Sequence, residues 1–180
     1  MMACTESKTQ NTEVAKRDTT ITIENSFTEL FLDTTFLAKH LGTNPLEDSV
    51  STKIKSFYNH RNYQYAWFFP DGMAEYVPTF LSLKNDYIHY SGDSSLYNPK
   101  LDNLVDSLGK LKKINPVDPL VEKAEVLLTE EFFKYTSLAY GGTQNVNSKE
   151  LNWFIPRKKL NPVTFLDSLV KNKGQNLSAY

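Results

Sequence analysis

Apolar residues recur along this chain at helical spacing, in blocks separated by proline, glycine and asparagine. Val50, Ile54, Phe57 and Tyr58 stand at offsets of four, seven and eight, which lines one face of a helix. Asp48 or Ser49 would open that helix, and it should stop near Asn62. Leu101, Leu104, Val105, Leu108 and Leu111 form a second stripe after Pro99. A third begins at Asp118-Pro119, a cap followed by proline at the first helical position, and carries Leu120, Val121, Ala124, Leu127 and Leu128. At Thr129-Glu130-Glu131 the pattern has two readings. Either Thr129 caps a new helix whose dipole the two glutamates complement, or one long helix continues through Phe133, Tyr135 and Leu138. Gly141-Gly142 stops both. Asn161-Pro162 opens a last helix with Val163, Phe165, Leu166, Leu169 and Val170, which Gly174 ends.

Weaker signals fill the rest. Asp33, Thr34 or Thr35 can cap a helix bearing Phe36, Leu37 and Leu41, closed by Gly42 and an Asn44-Pro45 turn. Tyr76 to Tyr87 reads as helical, and Pro78 then belongs in its first turn. Thr19–Ile23, Tyr65–Phe69 and Trp153–Pro156 read as short extended pieces, and Pro70-Asp71-Gly72 as a turn. The chain is therefore expected to be mainly α, a single helical domain of five to seven helices with one or two short extended segments. Residues 1–18 are polar and read as a disordered leader, 19–174 as the domain, and 175–180 as the start of a further region.

Composition removes several function classes. Lys+Arg number 20 and Asp+Glu 21, and the densest basic run is only Arg157-Lys158-Lys159. Phosphate neutralisation drives nucleic-acid binding, so this balance argues against DNA or RNA as a partner. The single cysteine, Cys4, rules out a disulfide within the chain and a Cys-rich zinc site. His40, His60 and His89 lack metal-ligand spacing, no cofactor motif is present, and no apolar stretch is long enough to span a membrane. Met1-Met2-Ala3-Cys4 resembles the end of a bacterial lipoprotein signal without its preceding apolar run. Cys4 is thus a candidate lipidation site, with an ordinary tail as the other reading. Tyr63, Tyr65, Trp67, Phe68 and Phe69 crowd seven residues. Core packing is the simpler account of Trp67 and Phe69, whereas Tyr63 and Tyr65, alternating with Asn62 and Gln64, are candidates for an exposed sugar-binding surface.

Two motifs carry a family resemblance. Phe57-Tyr58-Asn59-His60-Arg61-Asn62-Tyr63-Gln64-Tyr65-Ala66-Trp67 resembles the signature that opens the scaffold domain of the large periplasmic L,D-transpeptidases. Leu127-Leu128-Thr129-Glu130, then Phe133 and Tyr135, Tyr140-Gly141-Gly142, and Trp153-Phe154-Ile155-Pro156-Arg157 are similar to a second pattern of that domain. Together they span roughly residues 50–170; the stretch from Asp71 to Pro116 matches only in helical character.

The resemblance implies a non-catalytic scaffold region that packs against and positions a Cys-dependent catalytic domain of the same parent chain. That domain would cross-link peptidoglycan stem peptides through a thioester. It also implies a periplasmic or cell-envelope location and peptidoglycan as a candidate contact. The family's catalytic cysteine lies in a Ser-His-Gly-Cys-like motif that these 180 residues lack, so no catalytic residue carries over. The positions that do are structural: Phe57, Tyr58, Arg61, Tyr63, Trp67, Thr129, Tyr135, Trp153 and Pro156. Trp67 and Trp153 are expected to share one core, and Arg61 to sit at a helix C-terminus where a cation suits the dipole. The alternatives are a stand-alone glycan- or protein-binding module using Tyr63 and Tyr65, and a small hydrolase with a deep pocket of convergent titratable groups.

Overall fold

A computed structural model describes residues 13–26, 28–44, 46–141 and 161–174. Six α-helices occur among them: α1 (Thr34–Thr43), α2 (Asp48–His60), α3 (Tyr76–Ser91), α4 (Pro99–Leu108), α5 (Pro119–Gly141) and α6 (Pro162–Lys171). One antiparallel hairpin, β1 (Phe68–Phe69) and β2 (Gly72–Met73), pairs Phe68 with Met73 and Phe69 with Gly72 across a Pro70-Asp71 turn. The protein is mainly α, as the periodicity indicates.

Local chemistry explains most of the boundaries. Asp33 caps α1 by accepting from the Thr35 N–H, Asn98 caps α4 through Leu101 N–H, and Asn161 caps α6 through Val163 and Thr164. Pro99 and Pro162 occupy first-turn positions, where the missing N–H costs nothing. Gly92 takes φ 68° and returns its N–H to Ile88, ending α3. Two boundaries depart from expectation. Gly42 lies inside α1, which closes one residue later with Asn44 as its C-cap. Leu111 lies beyond α4, because the helix ends at Leu108, and that side chain is exposed. The 19–23 segment is a turn leading into a 3-10 turn at Ile23–Asn25 rather than a strand.

The 23-residue α5 is the axis of the domain. Val121, Ala124, Val126, Leu128, Phe132 and Phe133 are buried along it, while Leu120 and Lys123 mark the side that faces solvent. Helices α2, α3, α4 and α6 pack against it. Thr129 is in its middle and caps nothing; its hydroxyl donates to the Glu125 carbonyl one turn earlier. Of the two readings of that stretch, the single long helix is the one observed. Glu130 and Glu131 are accordingly buried in mid-helix rather than solvated at a helix start. Glu130 is bonded by Lys134 and lies 3.6 Å from His40, while Glu131 accepts from Asn98.

The N-terminal arm engages the domain before residue 18. The Ala15 N–H donates to Ser56, Asn59 donates to the Ala15 carbonyl, and the Asp18 N–H reaches the Asn59 carbonyl at 2.8 Å. Residues 28–32 then run antiparallel to residues 63–65, with Leu32 N–H on the Tyr63 carbonyl and Tyr65 N–H on the Leu30 carbonyl. Cys4, the Asn44-Pro45 turn's proline, Gly142, the 143–150 loop, Trp153, Pro156, the Arg157–Lys159 run and residues 175–180 lie outside the described residues, as does the expected pairing of Trp67 with Trp153.

Helix α6 is locked at its end by Gly174, at φ 77°, whose N–H returns to the Leu169 carbonyl. A Cβ placed there would sit 2.5 Å from the Tyr76 Cβ. Gly174→Ala therefore combines an unfavourable backbone with a direct clash, and should cost on the order of 1–3 kcal/mol in urea unfolding.

Candidate functional site: a buried carboxylate node

Chemistry-bearing groups converge inside the domain, where α2, the turn that follows it and α5 meet. The turn is unusual. Asn62 and Tyr63 both adopt left-handed backbone, at φ 49° and 66°, which is costly for a residue as bulky as tyrosine. The surroundings compensate. Tyr63 N–H bonds the Tyr58 carbonyl, its ring stacks near that of Tyr58, and the Arg17 guanidinium lies 4.8 Å from the ring centroid. Asn62 is held from both sides, accepting from Arg17 and donating to the Ile21 carbonyl. The result is an abrupt change of direction that carries Tyr65, Ala66 and Trp67 back into the core.

Their backbone there has no strand partner of full length, and a buried N–H without an acceptor is expensive. Glu125 supplies the acceptors. Its Oε1 accepts from Ala66 N–H at 2.6 Å and from the Tyr58 hydroxyl at 3.0 Å; its Oε2 accepts from Trp67 N–H at 3.0 Å. Thr129, one turn further along α5, completes the node by accepting from the Trp67 indole N–H at 2.8 Å and lying 2.8 Å from the Tyr58 hydroxyl. The Tyr76 hydroxyl closes the far side by donating to the Ala66 carbonyl.

Burial pushes the Glu125 carboxyl from its ordinary value of 4.5 up to about 7, against the pull of its three hydrogen bonds and the Arg61 charge. Burial, with the neighbouring Glu125 charge adding to it, also raises the Tyr58 phenol well above its usual value. Arg61 itself does more than sit at the α2 C-terminus. Its side chain is buried, lies over the Phe57 ring at 5.3 Å, and pairs with Asp167 of α6 at 2.9 Å. It thereby joins the end of α2 to α6, two of the helices packed on α5.

Most of the expected structural positions thus meet in one place. Phe57, Tyr58, Arg61, Tyr63, Trp67 and Thr129 all contribute to the node or its immediate lining, and Tyr135 continues the aromatic packing through Phe80, whose ring lies 5.5 Å from Trp67. The expected exposed pair is not formed. Tyr63 is half-buried, but Tyr65 is fully buried with its hydroxyl on the Pro116 carbonyl, because the turn after α2 directs it inward. Sequence reading passed over Glu125. Its signal was a charged residue between Ala124 and Val126 on a stripe that should be apolar.

Two open grooves flank the hairpin. One of about 620 Å³ is bounded by Phe69, Asp71, Glu75, Tyr76 and Lys173, the other, of about 640 Å³, by Asn85, Asp102, Asp106 and Lys110. Glu125, Tyr58 and Thr129 line neither. No group of three or more His, Cys, Asp or Glu positioned for a metal occurs among the described residues.

This is a mainly α domain whose densest polar chemistry braces its own core. Residues 52–180 match the family described as Scaffold domain, and the chain belongs to that family. The match takes in the node and every helix from α3 onward, with most of α2; α1 and the arm before it lie outside the matched span. No curated protein and no solved structure matches the chain.

Two measurements probe the node. Glu125 holds its proton to a higher pH when folded than when unfolded. Its contribution to stability is therefore complete below about pH 4.5 and lost as pH rises through about 7, a change on the order of 3 kcal/mol. Burial raises Glu122 and Glu131 in the same direction. Burial also pushes Glu130 upward, but His40 and Lys134 outweigh it and leave that carboxyl lowered. The urea midpoint should accordingly fall between pH 5 and pH 8, and Glu125→Gln should remove much of that slope. Separately, Thr129→Val strands the Trp67 indole N–H and should cost about 1–3 kcal/mol, while Thr129→Ser should cost distinctly less.

Proposed function

We propose that this chain is the non-catalytic scaffold region of a cell-wall L,D-transpeptidase. In this reading it packs against and positions a Cys-dependent catalytic domain, encoded outside these 180 residues, that cross-links peptidoglycan stem peptides in the periplasm or cell envelope. Membership of the scaffold-domain family over residues 52–180 is the observation that carries it. The use made of the motif residues supports it. A scaffold must hold its shape under load from a neighbouring domain, and the bonds of Tyr58, Arg61, Trp67 and Thr129 tie α2 and the segment after it to α5 and α6. The 61–67 backbone, strained at Asn62 and Tyr63, is pinned to α5 rather than left to move.

Incubated with disaccharide-tetrapeptide, the purified chain should give no cross-linked dimer by mass spectrometry. Any dimer would overturn the reading. A catalytic domain produced separately from the same parent gene should bind the chain, and should gain thermal stability and cross-linking rate when it does. A parent gene with no coding sequence for a Ser-His-Gly-Cys-like motif in frame with this domain would count equally against the reading.

A further inference from the structure

The connector between α4 and α5 has a composition at odds with its environment. Lys110, Lys112 and Lys113 are exposed there together with Leu111 and Val117, 42% and 75% exposed, and Leu120 follows in the first turn of α5, 54% exposed. Residues 110–120 hold three lysines against one aspartate, Asp118, in a chain of net charge −1, and Asp102 and Asp106 border the groove that Lys110 lines. The Asp118 carboxylate is already engaged as the cap of α5, accepting from Leu120 N–H at 2.9 Å.

The connector is held in place. Ile114 is buried and its N–H bonds the Pro70 carbonyl in the hairpin turn. The Tyr65 hydroxyl donates to the Pro116 carbonyl, the Val117 N–H bonds the Asn115 side chain, and the Leu111 carbonyl lies where a Cβ on Gly72 would meet it at 3.3 Å. The backbone beneath the exposed side chains is thus fixed by the core, so their presentation costs no further ordering on binding.

Lysine beside exposed leucine and valine distinguishes between partners. Lysine is depleted at protein–protein interfaces, where aromatic residues and arginine dominate. A bilayer with anionic headgroups accepts the same pairing readily: lysines lie among the headgroups while aliphatic side chains enter the acyl boundary. We propose that the 110–120 connector is a docking surface for an anionic lipid membrane. It would lay the domain against the bilayer by the end at which α4 leaves and α5 begins. This goes beyond the scaffold role and requires no acylation of Cys4.

Co-sedimentation of the full 180-residue chain with vesicles tests it. The chain should bind vesicles of phosphatidylglycerol and phosphatidylethanolamine, bind phosphatidylcholine vesicles at least tenfold less, and be released by raised salt, as about a Debye-screened attraction requires. Lys110→Ser/Lys112→Ser/Lys113→Ser should lower the partition coefficient about a hundredfold at low salt. Leu111→Ser/Val117→Ser/Leu120→Ser should lower it about tenfold or more. Both triple variants change exposed side chains, so their thermal melting should match the parent chain. Equal binding to both vesicle types, no binding to either, or full binding by either folded variant would overturn the proposal. So would capture of the catalytic domain through these same residues with vesicles left unbound. The cross-linking assay contains no lipid, so the scaffold reading stands or falls separately.

Discussion

A buried carboxylate accepting two successive backbone N–H groups is the interaction on which this structure turns. Ala66 and Trp67 enter the core as irregular backbone, with no strand long enough to satisfy them. Without acceptors the segment could not be buried, and Trp67, the largest fully buried side chain among the described residues, could not reach the centre. Glu125 makes that burial possible. The left-handed turn at Asn62-Tyr63, the Tyr58 and Thr129 hydroxyls and the Arg61–Asp167 pair all follow from directing this one segment onto α5.

The node also accounts for the character of α5. The buried faces of a central helix would ordinarily be apolar, yet this one buries Glu122, Glu125, Glu130 and Glu131. Each is matched to a different neighbour: the Asp33 N–H at the start of α1, the 66–67 backbone, His40 with Lys134, and Asn98 at the start of α4. Buried charge contributes little net stability when paired, but removing one partner is costly. The four carboxylates thus tie the start of α1, the 66–67 segment, His40 and the start of α4 to α5.

Much of the fold was legible in the chain itself because it is written in local terms. Caps at Asp33, Asn98 and Asn161, prolines at first-turn positions, the Pro70-Asp71-Gly72 turn and the stripes of α2 and α6 depend on residues a few positions apart. The family motifs were legible for the same reason, as runs of residue types at short spacing. What stayed open or departed shares the opposite cause. Thr129-Glu130-Glu131 has the composition of a helix start and of a helix middle alike, and the fold decides for the middle of α5. Leu111 fits the periodicity of α4, but the chain must leave that helix at Leu108 to reach the hairpin.

By itself, then, the amino-acid order determined a mainly α domain, the positions of its principal helices, its charge balance and its family. Tertiary structure alone decided where the polar side chains go. Glu125 is one acidic residue among 21 acidic residues until the 61–67 segment arrives with two N–H groups that need it. Tyr65 is indistinguishable from an exposed tyrosine until a left-handed turn directs it inward. Hydrophobic periodicity is a property of neighbours in the chain, whereas the satisfaction of a buried donor involves partners some sixty residues apart, and no local pattern records it.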